Sequence, residues 1–426
     1  AFVLFRLGLR SELQTRIDAI RAAGYPVTCA ELNEWYAIPG DAENAAYTII
    51  DAFSYYHEPN ETEYESLPIV GRAKLPARTE PLAEETKALV AQYIADNNET
   101  LELLHEAAAI THCRYPVDFS LGLGTRLGHL SDLKRSVKLS NLEAVSHAEN
   151  EKPQLAAHSV ISSFGLTRSL EKEPLLISQL VRIACKALIV SSLERAINRT
   201  EFTDEQLVEL GRVMTGAEDS SAMARAFAGE RCYILSVLRE PRSLGPGLVG
   251  RGAADAPILE LYRVSGLADM DADIFLDLMN DCMETTRLSL HQRPRAATTI
   301  WAQVEATSKI HILLHRLVPA FSRVVAFDVK ITAYLRTGGV SLAVQRYRLA
   351  AGRLPDTLAD LVPAYLEAVP KDPFDGDELR YKKLERGFVV YSIGGDLSDD
   401  GGKESLPRNK RNGRSSNWDI TFTVER

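Results

Sequence analysis

Apolar residues recur at intervals of three and four along most of this chain, and that spacing predicts helices. In residues 4–23, Leu9, Leu13, Ile17 and Ile20 fall on one helical face. Gly24 ends the pattern, and Pro26 follows at C-cap distance. Thr28 with Glu31 is a capping-box signature for a second helix, which Pro39-Gly40 breaks. A third helix is predicted from Asn44 to Tyr56. Residues 57–80 are polar and carry three prolines, so they read as a linker or wrapping loop. Helical periodicity returns at 81–113 and dominates to about residue 239. The stretch 174–198 is the most apolar, but Arg182, Lys186, Glu194 and Arg195 interrupt it, so it reads as a central core helix. Thr203 and Gln206 form another capping box. A glycine- and proline-rich loop at 240–257 precedes helices at about 258–263, 271–290 and 295–316.

The pattern changes near residue 320. A long helix is predicted over 320–350, with Gly338-Gly339 as a kink. Pro355-Asp356 starts a short helix, and Pro363, Pro370 and Pro373 punctuate a loop. Leu379–Lys382 and Phe388–Ser392 alternate around Arg386-Gly387 as a hairpin, and Trp418–Val424 alternates as a third strand. The predicted fold class is mainly α: an irregular α-helical array followed by a small C-terminal α+β module. The predicted divisions are a helical, membrane-proximal segment at 1–56, a linker at 57–80, an α-helical body at 81–319 and the module at 320–426.

Length and composition are compatible with this. The chain has 426 residues, 45% apolar and 25% charged, which excludes disordered, collagen-like and disulfide-dense classes. Its net charge of −9 gives no global attraction to nucleic acid or anionic lipid. The five cysteines form no C-x-x-C pair, and Cys185 and Cys232 sit in apolar helical runs as small buried hydrophobes. The opening Ala-Phe-Val-Leu-Phe, ahead of Arg6 and Arg10, reads either as the stub of a membrane helix or as an ordinary amphipathic helix.

Several patterns imitate sites. Gly245, Gly247 and Gly250 match a dinucleotide fingerprint, but a helix precedes them and Pro246 occupies the turn. Asp269, Asp271 and Asp273 imitate an EF-hand start, but Ile274 stands where glycine is needed and Asn280 where glutamate is needed, so they read as helix-capping acids. His311 and His315 have metal-ligand spacing on a helix, without a third ligand, and read as surface or inter-helix histidines. No G-x-S-x-G or Walker motif is present, and no residue is assigned as catalytic. For a ligand site in the helical body, His105, His112, Glu102 and Glu106 fall at helical spacings and are the first candidates. The sharpest chemical signal is the loop 394–402: Asp396, Asp399 and Asp400 place three carboxylates in five residues, and four glycines free the backbone to turn its carbonyls inward. Calcium would neutralise those acids, and Lys403, Arg408, Lys410 and Arg411 offer a metal-free alternative.

Over about residues 342–424 the chain resembles the globular head of type II secretion major pseudopilins. The matching elements are the Tyr347 helix, Gly352-Arg353-Leu354-Pro355, Lys371-Asp372-Pro373-Phe374, Tyr381, Gly387-Phe388, Tyr391-Ser392-Ile393-Gly394, the acidic loop and Asn417-Trp418-Asp419. The resemblance implies calcium on Asp396, Asp399 and Asp400, with carbonyls near Leu397. It departs in that a pilin carries its anchor helix directly before the head, whereas about 320 residues precede it here. The whole chain also resembles large uncharacterised bacterial envelope proteins with a helical body and such a tail, at stretches such as EPLLISQLVRIA and ELNEWY. The resulting expectation is a non-enzymatic scaffold or assembly subunit, extracytoplasmic in the cell envelope. It would be membrane-anchored through a segment upstream of Ala1, with protein partners or self-assembly and no nucleic acid. The alternatives are an enzyme or ligand-binding protein with its site in the body, and a secretion-fibre subunit.

Overall fold

Residues 2–37, 43–240, 255–318, 321–404 and 418–426 are described in a computed structural model. The Pro39-Gly40 break, Gly245, Gly247, Gly250, Arg408, Lys410, Arg411 and Asn417 lie outside them. Helix α1 (Phe2–Ala22) buries Leu13 and Ile17 and ends at Gly24, which adopts φ +81°. Thr28 caps α2 (Cys29–Trp35) by accepting from Glu31 N at 3.1 Å. Glu31 returns its carboxylate to Val27 N rather than to Thr28. Asn44 caps α3 (Ala45–Ser54). The predicted linker contains a short helix, α4 (Glu61–Ser66), closed by an Asn60/Glu63 capping box. The stretch 81–113 divides at Asn97 into α5 (Glu84–Asp96) and α6 (Asn98–Ala109).

Four helices follow: α7 (Gly128–Glu149), α8 (Pro153–Arg168), α9 (Leu176–Arg199) and α10 (Asp204–Gly216), the last with both halves of the Thr203/Gln206 box formed. Helix α9 is long and apolar enough to cross a membrane by composition, yet 56% of its most apolar window is buried in the protein. It packs against α7, α8, α16 (Phe321–Ala351) and α11 (Ala222–Arg239) as a core helix. Helices α12 (Asp255–Ser265), α13 (Leu267–Thr285), α14 (Arg293–Ala306) and α15 (Ile312–Leu317) precede α16. The predicted helix 295–316 is therefore broken. Thr307–His311 is non-helical, and His311 caps α15, so His311 and His315 do not share a continuous helical face. Nor do the glycines kink α16, which runs on through them. Gly338 is a close-approach position, where an added Cβ would lie 2.3 Å from Met214 of α10 and 3.3 Å from Phe422.

The sheet is antiparallel in the order β1 (Arg380–Lys383), β2 (Phe388–Ser392), β3 (Ile420–Val424), with Tyr381 opposite Val390 and Val390 opposite Phe422. The fold is thus mainly α with a small three-stranded module, as the alternation of periods predicts. One hydrophobic core runs from Cys29 through α3–α10 to α16 and takes in Phe388, Val390, Phe422 and Val424 of the sheet. A second core joins α1 to α11–α16, so the apolar face of α1 packs with residues far along the chain, while Arg21 pairs with Glu31 of α2 at 2.9 Å. All five cysteines are free thiols, and Cys185 and Cys232 are buried in apolar surroundings as predicted.

Because body and module share one core, the Phe422→Ala variant is expected to lose about 3–5 kcal/mol. Far-ultraviolet circular dichroism and tyrosine fluorescence should report one common unfolding transition in denaturant. Independent melting of the module would contradict the shared core.

Candidate functional site

Helices α6, α7 and α8 meet through polar side chains. Gly165 of α8 lets the backbones touch: a Cβ there would stand 2.5 Å from the Ala108 carbonyl oxygen. That approach sets His105 between two partners. Its Nδ1 lies 2.8 Å from Ser162 Oγ, and its Nε2 lies 2.9 Å from Glu143 Oε2. Glu143 is buried, accepts from Ser159 Oγ at 2.7 Å and faces His147 at 3.8 Å. Burial acts to raise its carboxyl, but the bonds from His105 and His147 outweigh that and bring it down to about 2. Burial, with repulsion from His105, lowers His158 alongside.

Of the four body candidates, only His105 enters this arrangement. Glu102 and Glu106 are exposed, and His112 follows the end of α6 beside a separate small cavity with Tyr36 and Glu171. Ser162, His105 and Glu143 have the connectivity of a nucleophile, base and orienting acid. Ser162, however, sits within α8, whose neighbouring N–H groups are spent on helix bonds, so the backbone there offers no oxyanion donors.

His105 and Ser162 line a pocket of about 360 Å³ between α6, α8, α9 and α10. Arg168, Arg182, Lys186 and Arg212 complete its polar wall. Arg182 and Lys186 also line a second cavity of about 240 Å³, with Asp219, Arg293, Asp328 and Arg336. Lys186 is only 5% exposed and donates to the Ala217 carbonyl at 2.6 Å. Burial, reinforced by Arg182, lowers its ammonium to about 7. Burial likewise raises Asp328 to about 6, against the pull of Arg293 and Lys186. The pattern of helix periods could not reveal this convergence, because its members come from four helices.

The acidic loop is arranged differently from its expectation. Asp396 Oδ1 accepts from Ser398 N at 3.2 Å, and Asp399 Oδ1 from Gly401 N at 2.9 Å. The backbone N–H groups of Asp400 and Gly402 turn instead to Asp419, at 3.3 and 2.7 Å. Asp419 is raised first by burial, with Asp399 and Asp400 adding repulsion, so these three carboxylates feel one another. Gly394, Gly401, Gly402 and Leu397 all hold positive φ, which curls the loop. The donor set is hard oxygen and fits calcium in kind. Among the described residues, the group of acids and histidines whose ligand atoms lie within 4.8 Å of one another is His57, Glu63 and Asp96, a half-exposed set that sequence spacing does not single out.

The imitative acids of α13 diverge. Asp269 pairs with Arg6 and Arg10 at 3.0 Å, and Asp273 with Arg16 at 2.5 Å. Asp271 is fully buried and accepts from Tyr262 Oη at 2.6 Å and Leu314 N at 3.0 Å, with His311 Nδ1 at 2.5 Å. Comparison with known protein families, curated proteins and solved structures finds no match for the chain.

The Glu143 geometry carries a pH signature. A carboxyl lowered on folding contributes stability that is complete above the unfolded value near 4.5 and is lost as pH falls toward 2. Glu143→Gln should cost about 1–3 kcal/mol at pH 7. In urea titrations, the gap to the wild type should narrow steadily between pH 4.5 and pH 2.

Proposed function

We propose that this protein is a non-enzymatic scaffold or assembly subunit of the cell envelope, tethered at a membrane by its α1 end. The observation that carries the reading is the two-sided character of α1. Arg6, Arg10 and Arg16 bind one side to Asp269, Asp273 and Asp277 of α13. Leu4, Phe5 and Leu7 are 74%, 58% and 59% exposed at the same end. An apolar helix tip beside arginines suits the boundary between lipid headgroups and acyl chains. Extracytoplasmic placement rests on the pseudopilin resemblance. The scaffold reading is favoured over a fibre subunit because α16, the helix before the pseudopilin-like head, is covered by α9, α10 and α14 of its own body.

Calcium belongs to the proposal as a stabiliser of the module. Asp399 and Asp400 would hold it, with Asp419 adjacent and Asp396 at the loop entry. Its charge would offset the burial that raises Asp419 and the repulsion from Asp399 and Asp400 that adds to it.

Vesicle flotation tests the tether. The wild type should float with liposomes containing anionic lipid, and the Leu4→Ser, Phe5→Ser, Leu7→Ser triple variant should remain at the bottom of the gradient. Equal flotation of both would refute membrane contact through α1.

Thermal unfolding tests the metal. Calcium at 100 times its Kd should raise stability by about 2.7 kcal/mol over chelator-treated protein. Asp399→Ala combined with Asp400→Ala should abolish the difference. Identical wild-type melting in calcium and in chelator would remove calcium from the reading.

A further inference from the structure

The pocket between α6, α8, α9 and α10 is anomalous for so acidic a protein. The chain carries a net charge of −9, yet among the described residues no carboxylate lines this 360 Å³ space, and four cations do. Three of them have no carboxylate partner among the described residues. Lys186 donates only to the Ala217 carbonyl, and Arg168 only to the Ala108 carbonyl at 2.6 Å. Arg212 makes no hydrogen bond or ion pair among the described residues. Arg182 alone is matched, to Asp219 at 3.0 Å and Glu171 at 3.5 Å, both outside the pocket lining.

An ammonium taken out of water is costly, and Lys186 is more than nine-tenths buried with no carboxylate at ion-pair distance among the described residues; Asp219, Asp328 and Glu171 act on it only from farther away. Arg195 of the same helix, by contrast, pairs with Glu149 at 2.6 Å. The two exposed arginines stand on α8 and α10, which pack against each other, and their planar forks suit oxygen pairs. Ser162 and His105 add hydrogen-bonding groups without adding negative charge.

We propose that this pocket binds a small organic anion carrying a carboxylate or phosphate group, with its charge against Lys186 and Arg182 and its outer oxygens held by Arg168 and Arg212. The volume accommodates a metabolite-sized ligand and excludes a polymer. This site is independent of the scaffold reading, and a scaffold with or without it would behave alike at a membrane.

Isothermal titration calorimetry in metal-free, low-salt buffer tests it on the full chain. The probes are inorganic phosphate, glycerol 3-phosphate, succinate and citrate, with glycerol as the neutral control. At least one anion should bind saturably at one site, and the phosphate and carboxylate arms distinguish the two headgroups. Arg212→Gln should weaken that binding about tenfold. Arg212 makes no bond among the described residues, so this variant should fold as the wild type does. Lys186→Met should abolish binding, and Arg353→Gln, a surface change in the C-terminal module, should leave it unaltered. Heats no larger than glycerol's for all four anions would overturn the proposal. So would anion binding that survives unchanged in Arg212→Gln, since that would place the anion elsewhere.

Discussion

The arrangement depends on how α9 keeps its polar side chains satisfied while lying in the middle of the protein. Buried polar and charged groups need partners, and several of those on α9 draw distant parts of the chain inward. Arg195 meets Glu149 and also donates to the carbonyls of Pro76, Ala77 and Glu80, while Arg199 donates to that of Thr79. Those bonds hold residues 76–80, the end of the wrapping segment beyond α4. Glu194 accepts from Thr423 N at 2.7 Å, and Asn198 serves both Thr423 O and Glu425 N at 2.8 Å. Those bonds fill part of the outer edge of β3, which otherwise presents unpaired backbone groups. Burial raises Glu194 to about 7 despite Arg78 nearby, a sign of how deeply the module is seated.

Local grammar made much of the fold legible. The stop at Gly24, the Asn44 and Thr203 caps and the hairpin around Gly387 depend on neighbours a few residues away, which the sequence displays directly. What depended on distant partners was misread. Gly338 looked like a kink because its reason, the approach of Met214 and Phe422, lies on α10 and β3. His311 read as a surface or inter-helix histidine, but its partner did not show in the spacing: Asp271, forty residues earlier, takes its ring nitrogen at the start of α15.

The candidate site was legible in one residue out of several. His105 stood out because histidine on a helix is conspicuous, but Ser162, Glu143 and Lys186 look like ordinary polar interruptions until α6, α7, α8 and α9 are packed together. In the acidic loop the residue types were readable and the bonding was not. Asp419, the carboxylate that gathers the loop's N–H groups, follows Trp418 and so looked like strand rather than loop chemistry.

The contact of α1 with α13 also has a mechanical side. Asp269, Asp273 and Asp277 recur at one-turn intervals, and Arg6, Arg10 and Arg16 meet them along the length of α1. A pull along the α1 axis would load these ion pairs together, in shear. A pull perpendicular to it would open them one after another, as in peeling. The helix is therefore built to transmit axial tension into the body and to yield first to a sideways force.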